Sequence, residues 1–424
     1  MKAEKQTFHA DCLLISRKNL NFATKLHLIL FHEFIYLNLS NKLYHSMKKN
    51  FLYLSFALLF TAISCSGRSS YERPENTPEE KEDSTVYQLT VLVAGDIMQH
   101  MPQINAAKRP NGTYDYTDCF AHVKQEIGSA DIAIVNFETT LGGPPYKGYP
   151  CFSAPDEYLR AIIDAGFDVL TTGNNHCLDT GKKGLERTIM MMDSLHIPHL
   201  GTYVDSTARQ ASYPLLVEKN GFRIALLNFT YATNGLVRQK PNHVNYIDTV
   251  EIAADIEKAK SMQPDIIIAI PHWGIEYAMT PDAPDVKLAN WLLEKGVDHV
   301  IGGHPHVLQP FEWREPEAEN GGHIVAYSLG NFISNQNKPN TGIGSMVKLQ
   351  FTKSKEKVVL DSCAYTLTWC SRPAISGKKN YRVVPVATSD SLLNATDRTR
   401  RDNDARTARR IFDRYNKNIK EYTF

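Results

Sequence analysis

Charge of one sign is missing from this sequence: 47 Lys and Arg meet 46 Asp and Glu over 424 residues, a formal net charge of +1. Without a basic field, nucleic acid has no electrostatic grip on the chain. The balance hides an asymmetry, because residues 1–64 hold eight Lys or Arg against three Asp or Glu, and the remainder is mildly acidic. Nucleic acid is therefore not an expected partner. Internal repeats are also absent, which removes solenoids and propellers. Cysteine is sparse, seven in all. Two of them, Cys12 and Cys65, fall near the start, and Cys119, Cys151, Cys177, Cys363 and Cys370 are left for the body. Five cannot all pair; Cys363 and Cys370 are close enough for a local bridge, and buried reduced thiols are the alternative.

No apolar run in the N-terminal part comfortably spans a membrane. The stretch at 51–63 is too short and ends abruptly. It follows Met47, Lys48 and Lys49 and precedes small residues, the layout of a secretory signal. "AISC", ending at Cys65, resembles the lipobox of bacterial lipoproteins, in which the cysteine is lipidated after cleavage; an uncleaved anchor helix is the alternative. Either reading puts the body in the cell envelope, outside the cytoplasm. Residues 1–46 have no place in this scheme and are expected to be an extension upstream of the true start at Met47. Residues 66–87 are mostly polar and charged, as a flexible tether would be.

Beyond the tether, apolar runs alternate with helical patterns. Runs at 88–94, 131–137, 167–171, 222–229, 265–270, 297–301 and 323–328 predict buried strands. Helices are expected over 182–195, with Leu185, Ile189, Met192 and Leu195 at helical spacing, and near 250–262 and 285–295. The methionines at 190–192 are expected to pack in the core. The alternation predicts an α/β domain with helices covering the sheet faces. Past residue 344, three stretches predict antiparallel strands, and the charged end predicts a solvated packing helix.

Polar residues recur where the runs end. Asp96 follows the first, Asn136 and Glu138 the second, and Asn174, Asn175, His176 and Asp179 the third. His272 and Glu276 follow 265–270, His304 and His306 follow 297–301, and Asn331 follows 323–328. Sites of α/β sheets gather at such carboxyl ends. In "GGHPHVLQP", 302–310, Pro305 biases His304 toward an extended backbone, so His304 and His306 are expected on one side of an extended segment, converging on one point. Each residue alone is unremarked, a turn former or a satisfied polar group. The ordered series of carboxylates, amide and imidazoles without thiolate suits Zn²⁺, Mn²⁺ or Fe. One shared carboxylate would make the site binuclear, so one or two divalent ions are expected.

"GDIM", "NFE", "GNNHCLDTG", "HWGIEY", "GGHPHVLQP" and "SLGNF" together resemble the motif series of the CapA family of poly-γ-glutamate capsule biosynthesis proteins, within the calcineurin-like metallophosphatase superfamily. The resemblance spans about residues 88–352, leaving 353–424 as C-terminal strands and a charged helix packed on that domain. It implies an α/β (α+β) fold, a four-layer αββα metallophosphatase-like sandwich. It further implies Asp96, Glu138, Asn175, His272, His304 and His306 as metal ligands, with Glu138 bridging. His176 would donate to the leaving group, and Asp179 and Glu276 would orient neighbours or touch substrate. Motif one departs from the phosphatase Asp-x-His, because Met98 stands where the imidazole belongs; His100 lies two residues on.

The expected function is that of an exported, lipid-anchored metallohydrolase using metal-activated water on an anionic envelope or capsule polymer or on a phosphoester. The alternative is a non-catalytic component that binds poly-γ-glutamate during its synthesis or export in a membrane-bound capsule-synthesis complex.

Overall fold

The computed structural model describes residues 85–314, 322–355, 357–373, 377–416 and 419–424. The expected extension at 1–46, the signal and lipidation site at 47–65 with Cys65, and most of the 66–87 tether lie outside the described residues. Among those described, no helix is long and apolar enough to cross a membrane.

Two sheets share one core. The larger runs β16 (Arg382–Pro385), β15 (Val358–Ser371), β14 (Ile343–Lys353), β1 (Tyr87–Ile97), β2 (Ile132–Phe137), β3 (Val169–Thr171), β4 (His199–Leu200). β13 (Asn331–Ile333) pairs with the end of β1, and β17 (Lys420–Glu421) with β15. The smaller runs β11 (Phe311–Arg314), β12 (His323–Ala326), β10 (His299–Ile301), β9 (Ile266–His272), β7 (Phe222–Thr230), β6 (Leu215–Lys219). β5 (Thr202–Tyr203) and β8 (His243–Val244) make a separate ribbon. β1 to β4 are parallel, as are β7, β9, β10 and β12. β14, β15 and β16 add antiparallel strands to the larger sheet, as their patterns predict.

The strands that carry the site read as continuous apolar runs because both of their faces are buried. On β1, Leu89, Val91 and Val93 enter the core between the sheets, while Leu92 and Ala94 enter the outer core. β2 alternates likewise, Ile132 and Ile134 inward, Ala133 and Val135 outward. The helix Asp156–Asp164 covers that outer face with Tyr158, Leu159 and Ile162, each worth roughly 1.5–3 kcal/mol of burial for an ordinary apolar side chain. The helices Thr249–Ser261 and Ala283–Glu294 cover the smaller sheet through Ile252, Ile256, Ala289 and Leu292. The result is the expected αββα sandwich.

One expectation needs correction, and one open alternative is resolved. Of the methionines at 190–192 only Met192 is buried in the core; Met190 is 56% exposed, because it falls on the outer face of the helix Gly181–Ser194. Cys363 and Cys370 form no bridge, and Cys119, Cys151 and Cys177 are free too. Seven residues apart on β15, the two thiols point to opposite faces, Cys363 to the inter-sheet core and Cys370 to the outer one. The C-terminal helix, Ala395–Tyr415, keeps a narrow buried stripe of Ala405, Ala408 and Phe412, with Phe412 against Phe311 at 4.6 Å between ring centroids.

Candidate metal centre

A bulge in β1 aims the first candidate ligand. Ala94 pairs with Val135 and Asp96 with Asn136, so Gly95 is an extra residue and the register shifts. Without it, Asp96 would share the outer face with Ala94; with it, Asp96 turns to the inter-sheet side beside Asn136. Gly95 is required there, since a Cβ would lie 2.0 Å from the Gly330 carbonyl. Glu138, two residues past Asn136, keeps the same facing.

From these strand ends the fold assembles two groups of ligand atoms, each within 4.8 Å: Asp96, Glu138 and His306 in one, Glu138, His272 and His304 in the other. Glu138 belongs to both, as a bridging carboxylate must. Asn175 joins the second group, with its Oδ1 2.9 Å from His272 Nε2. All six expected ligands are thus brought together and buried.

The route by which His304 and His306 arrive differs from the expected one. The backbone is not extended: His304 has φ +103° and His306 φ +59°. These left-handed conformations are rare for residues with a Cβ and mark local strain. The strain splits the pair, so His304 serves one group and His306 the other, rather than both converging on one point. Gly303 allows the close approach, a Cβ there falling 2.8 Å from Asp96 Oδ1.

Three amides hold these candidate ligands. Asn136 Nδ2 donates to Asp96 Oδ1 at 2.8 Å and lies 3.3 Å from both Glu138 Oε2 and His272 Nδ1. Asn174 Nδ2 donates to Asn136 Oδ1 at 3.1 Å, and its own Oδ1 accepts from the His176 amide at 3.1 Å. Asn331 Oδ1 sits 3.1 Å from His306 Nδ1, which leaves His306 Nε2 toward Glu138 Oε1 at 3.6 Å. Such outer partners fix tautomer and ring orientation. Asn136, Asn174 and Asn331 stand at the same strand ends in the sequence; their orienting roles emerge only from the packing.

The electrostatics call for a cation. Burial, with the nearby carboxylates of Asp96, Glu276 and Asp179, pushes the Glu138 carboxyl well above its ordinary range. Burial and neighbouring imidazoles hold His272 and His304 well below theirs, so both keep a lone pair. Glu138 Oε1 and His304 Nδ1 are buried without any hydrogen-bond partner. A buried carboxylate facing neutral imidazoles with orphaned donor atoms fits a divalent ion, in a set of O and N ligands.

His176 stands beside this centre. Its Nδ1 is 2.7 Å from Asp179 Oδ2, which also accepts from the Phe152 amide at 2.7 Å. This contact fixes the orientation of the His176 ring. Glu276 is exposed on the loop after β9, and its charge reaches Glu138 across space. Met98 is buried with Sδ against Ser334 Oγ at 3.7 Å. His100 is engaged by Gln103 at 3.2 Å and does not take the missing imidazole's place in either group; burial holds its ring down to about 4.

A family model described as bacterial capsule synthesis protein PGA_cap matches residues 90–336, the span that holds every one of these ligands. The chain belongs to that family. Among relatives of this capsule synthesis family member, the capsule biosynthesis protein CapA of Bacillus anthracis is 28% identical over 82% of this chain and 84% of its own length. The PGA biosynthesis protein CapA of Bacillus subtilis is 29% identical over 63% of this chain and 68% of its own. A 5'-nucleotidase of Vibrio parahaemolyticus is 26% identical over 66% of this chain and about half of its own length, 52%. A solved calcineurin-like phosphoesterase, YfkN of Bacillus subtilis, covers 76% of this chain and 98% of its own at 15% identity with a TM-score of 0.41.

Proposed function

We propose that this protein is an exported, lipid-anchored, metal-dependent hydrolase whose substrate is an anionic polymer of the cell envelope, poly-γ-glutamate in the first instance, or a phosphoester. The observation that supports it most is Glu138, shared by two ligand groups and left with an orphaned buried oxygen. Bound divalent metal, as Zn²⁺, Mn²⁺ or Fe, would supply Lewis acidity and an activated water. Asp96, Glu138 and His306 would hold one ion, and Glu138, Asn175, His272 and His304 the other. Asp179 holds His176 through Nδ1, which leaves Nε2 to donate a proton to the leaving group. Anchoring at Cys65 and membership of a membrane-bound capsule-synthesis complex are part of this proposal; the names of the Bacillus relatives favour the pathway.

Met98, in place of an imidazole, favours a second reading, a polymer-binding component without turnover. Elemental analysis and the His176→Ala variant separate the two. The hydrolase predicts more than one metal equivalent and a fall in cleavage of poly-γ-glutamate or of a phosphoester by about 10²–10⁴ in H176A with metal content unchanged. Metal below about one equivalent counts against the two-ion centre. Polymer binding that survives H176A, with no cleavage by the wild type, supports the second reading.

A further inference from the structure

We propose that Tyr231 and Asn234, on the segment following β7, are positioning residues that fix the amide of Asn175 with its oxygen toward the metal; this rests on the metal-centre reading above. Only Oδ1 of an asparagine can ligate a cation, and Nδ2 needs an acceptor elsewhere. Nothing in the bare side chain chooses between the two orientations, so the partners must. Asn175 Oδ1 lies 2.9 Å from His272 Nε2, at the ligand group. Asn175 Nδ2 donates to Asn234 Oδ1 at 3.2 Å. Burial raises the Tyr231 hydroxyl above its ordinary range, outweighing the same Asn175 side chain, which lies near enough to favour its ionised form. Turning the amide over would set Oδ1 against the Asn234 oxygen and aim Nδ2 at the cation.

The segment is tied to the centre at several points. The Tyr231 amide donates to the His272 carbonyl at 3.0 Å, and the Tyr231 ring lies 4.5 Å from that of His304. Asn234 has φ +50° and Gly235 φ +74°, two successive left-handed residues that fold the side chain back toward Asn175. Its Nδ2 is 3.5 Å from His176 Nδ1, so Asn234 stands between a ligand and the proton donor. A residue serving only as a turn former would leave metal affinity alone.

The test titrates Zn²⁺ into the metal-free full chain against a chromogenic chelator, with the metal-free Tm measured alongside. Asn234→Gly removes the acceptor while tolerating the positive φ, Asn234→Asp keeps an acceptor, and Tyr231→Phe removes only the hydroxyl. N234G and Y231F are each expected to weaken the tighter Zn²⁺ step several-fold, and the double variant about 10- to 100-fold, with N234D close to wild type and the metal-free Tm unchanged. A double variant that binds Zn²⁺ like the wild type overturns the inference and leaves the metal centre standing. An affinity loss that tracks a fall in metal-free Tm and is not restored by N234D overturns it too. A wild type that binds no Zn²⁺ overturns the metal centre and this inference with it.

Discussion

At Gly303 the methyl group of an alanine would stand 2.8 Å from Asp96 Oδ1, closer than a carbon and an oxygen tolerate. Asp96 has no slack to yield, since Asn136 fixes the same oxygen at 2.8 Å. Gly303→Ala is expected to lose about one metal equivalent by elemental analysis, with stability lower by roughly 1–3 kcal/mol; wild-type metal content would refute the crowding. A second residue-scale expectation concerns Asp285, buried with Oδ2 unpartnered and close to Gly274. Burial, with Asp282 adding, raises its carboxyl from 3.8 to about 7, against the pull of the helix N-terminus toward the ionised form. The folded protein then keeps a proton that the unfolded chain releases, so stability falls as pH rises from the unfolded value toward the folded one and levels off above it. Asp285→Asn mimics the protonated form. Its stability relative to wild type should grow between pH 4.5 and 8 by up to a few kcal/mol in denaturant titrations. An equal difference at both pH values would rule the mechanism out. The six candidate ligands stand among the polar residues that end apolar runs, and it is the resemblance to the motif series that picks them out from Asn136, Asn174 and Asn331. Asn234 and Tyr231 follow such a run as well, 222–229, and the same rule carried past Thr230 reaches them. What no pattern reveals is the left-handed backbone at His304 and His306, since His-Pro-His reads as extended locally, whereas in the fold the His304 amide turns to donate to Asp96 Oδ2 at 3.3 Å.

At the scale of the element, β1 shows why periodicity alone misplaces a site residue. Strict alternation sends Asp96 outward, and one extra glycine reverses it. A bulge leaves no mark on a hydrophobic pattern, because Gly95 could equally be a turn or a close contact. β15 shows the opposite case, where alternation alone settles the matter. With Cys363 and Cys370 on opposite faces, thiol titration of the purified 66–424 body in denaturant should find all five cysteines reduced, with no mobility shift on adding reductant. Fewer than five thiols would mean a pairing that this fold does not contain.

At the scale of the molecule, the candidate ligands come from both sheets: Asp96 lies near the end of β1 and Glu138 and Asn175 follow β2 and β3, while His272 ends β9 and His304 and His306 follow β10. A cation bound among them would cross-link the halves of the sandwich and bind the native state alone. Stripping metal with a chelator should therefore lower Tm, by an amount set by about 2.7 kcal/mol at a hundredfold excess over Kd, and re-addition should restore it. An unchanged Tm would mean that no cation bridges the sheets. The order of strands and helices made an α/β domain legible, and the four layers came from the family resemblance; the meeting of two sheets at one carboxylate was not legible, because the approach of Glu138 and His304 spans 166 positions of chain that only folding closes. A chain still extended holds none of this centre. Any cation bound there must be acquired where and when the sheets dock, so the ion supply at the place of folding, more than ligand preference, would decide which metal the protein ends up with.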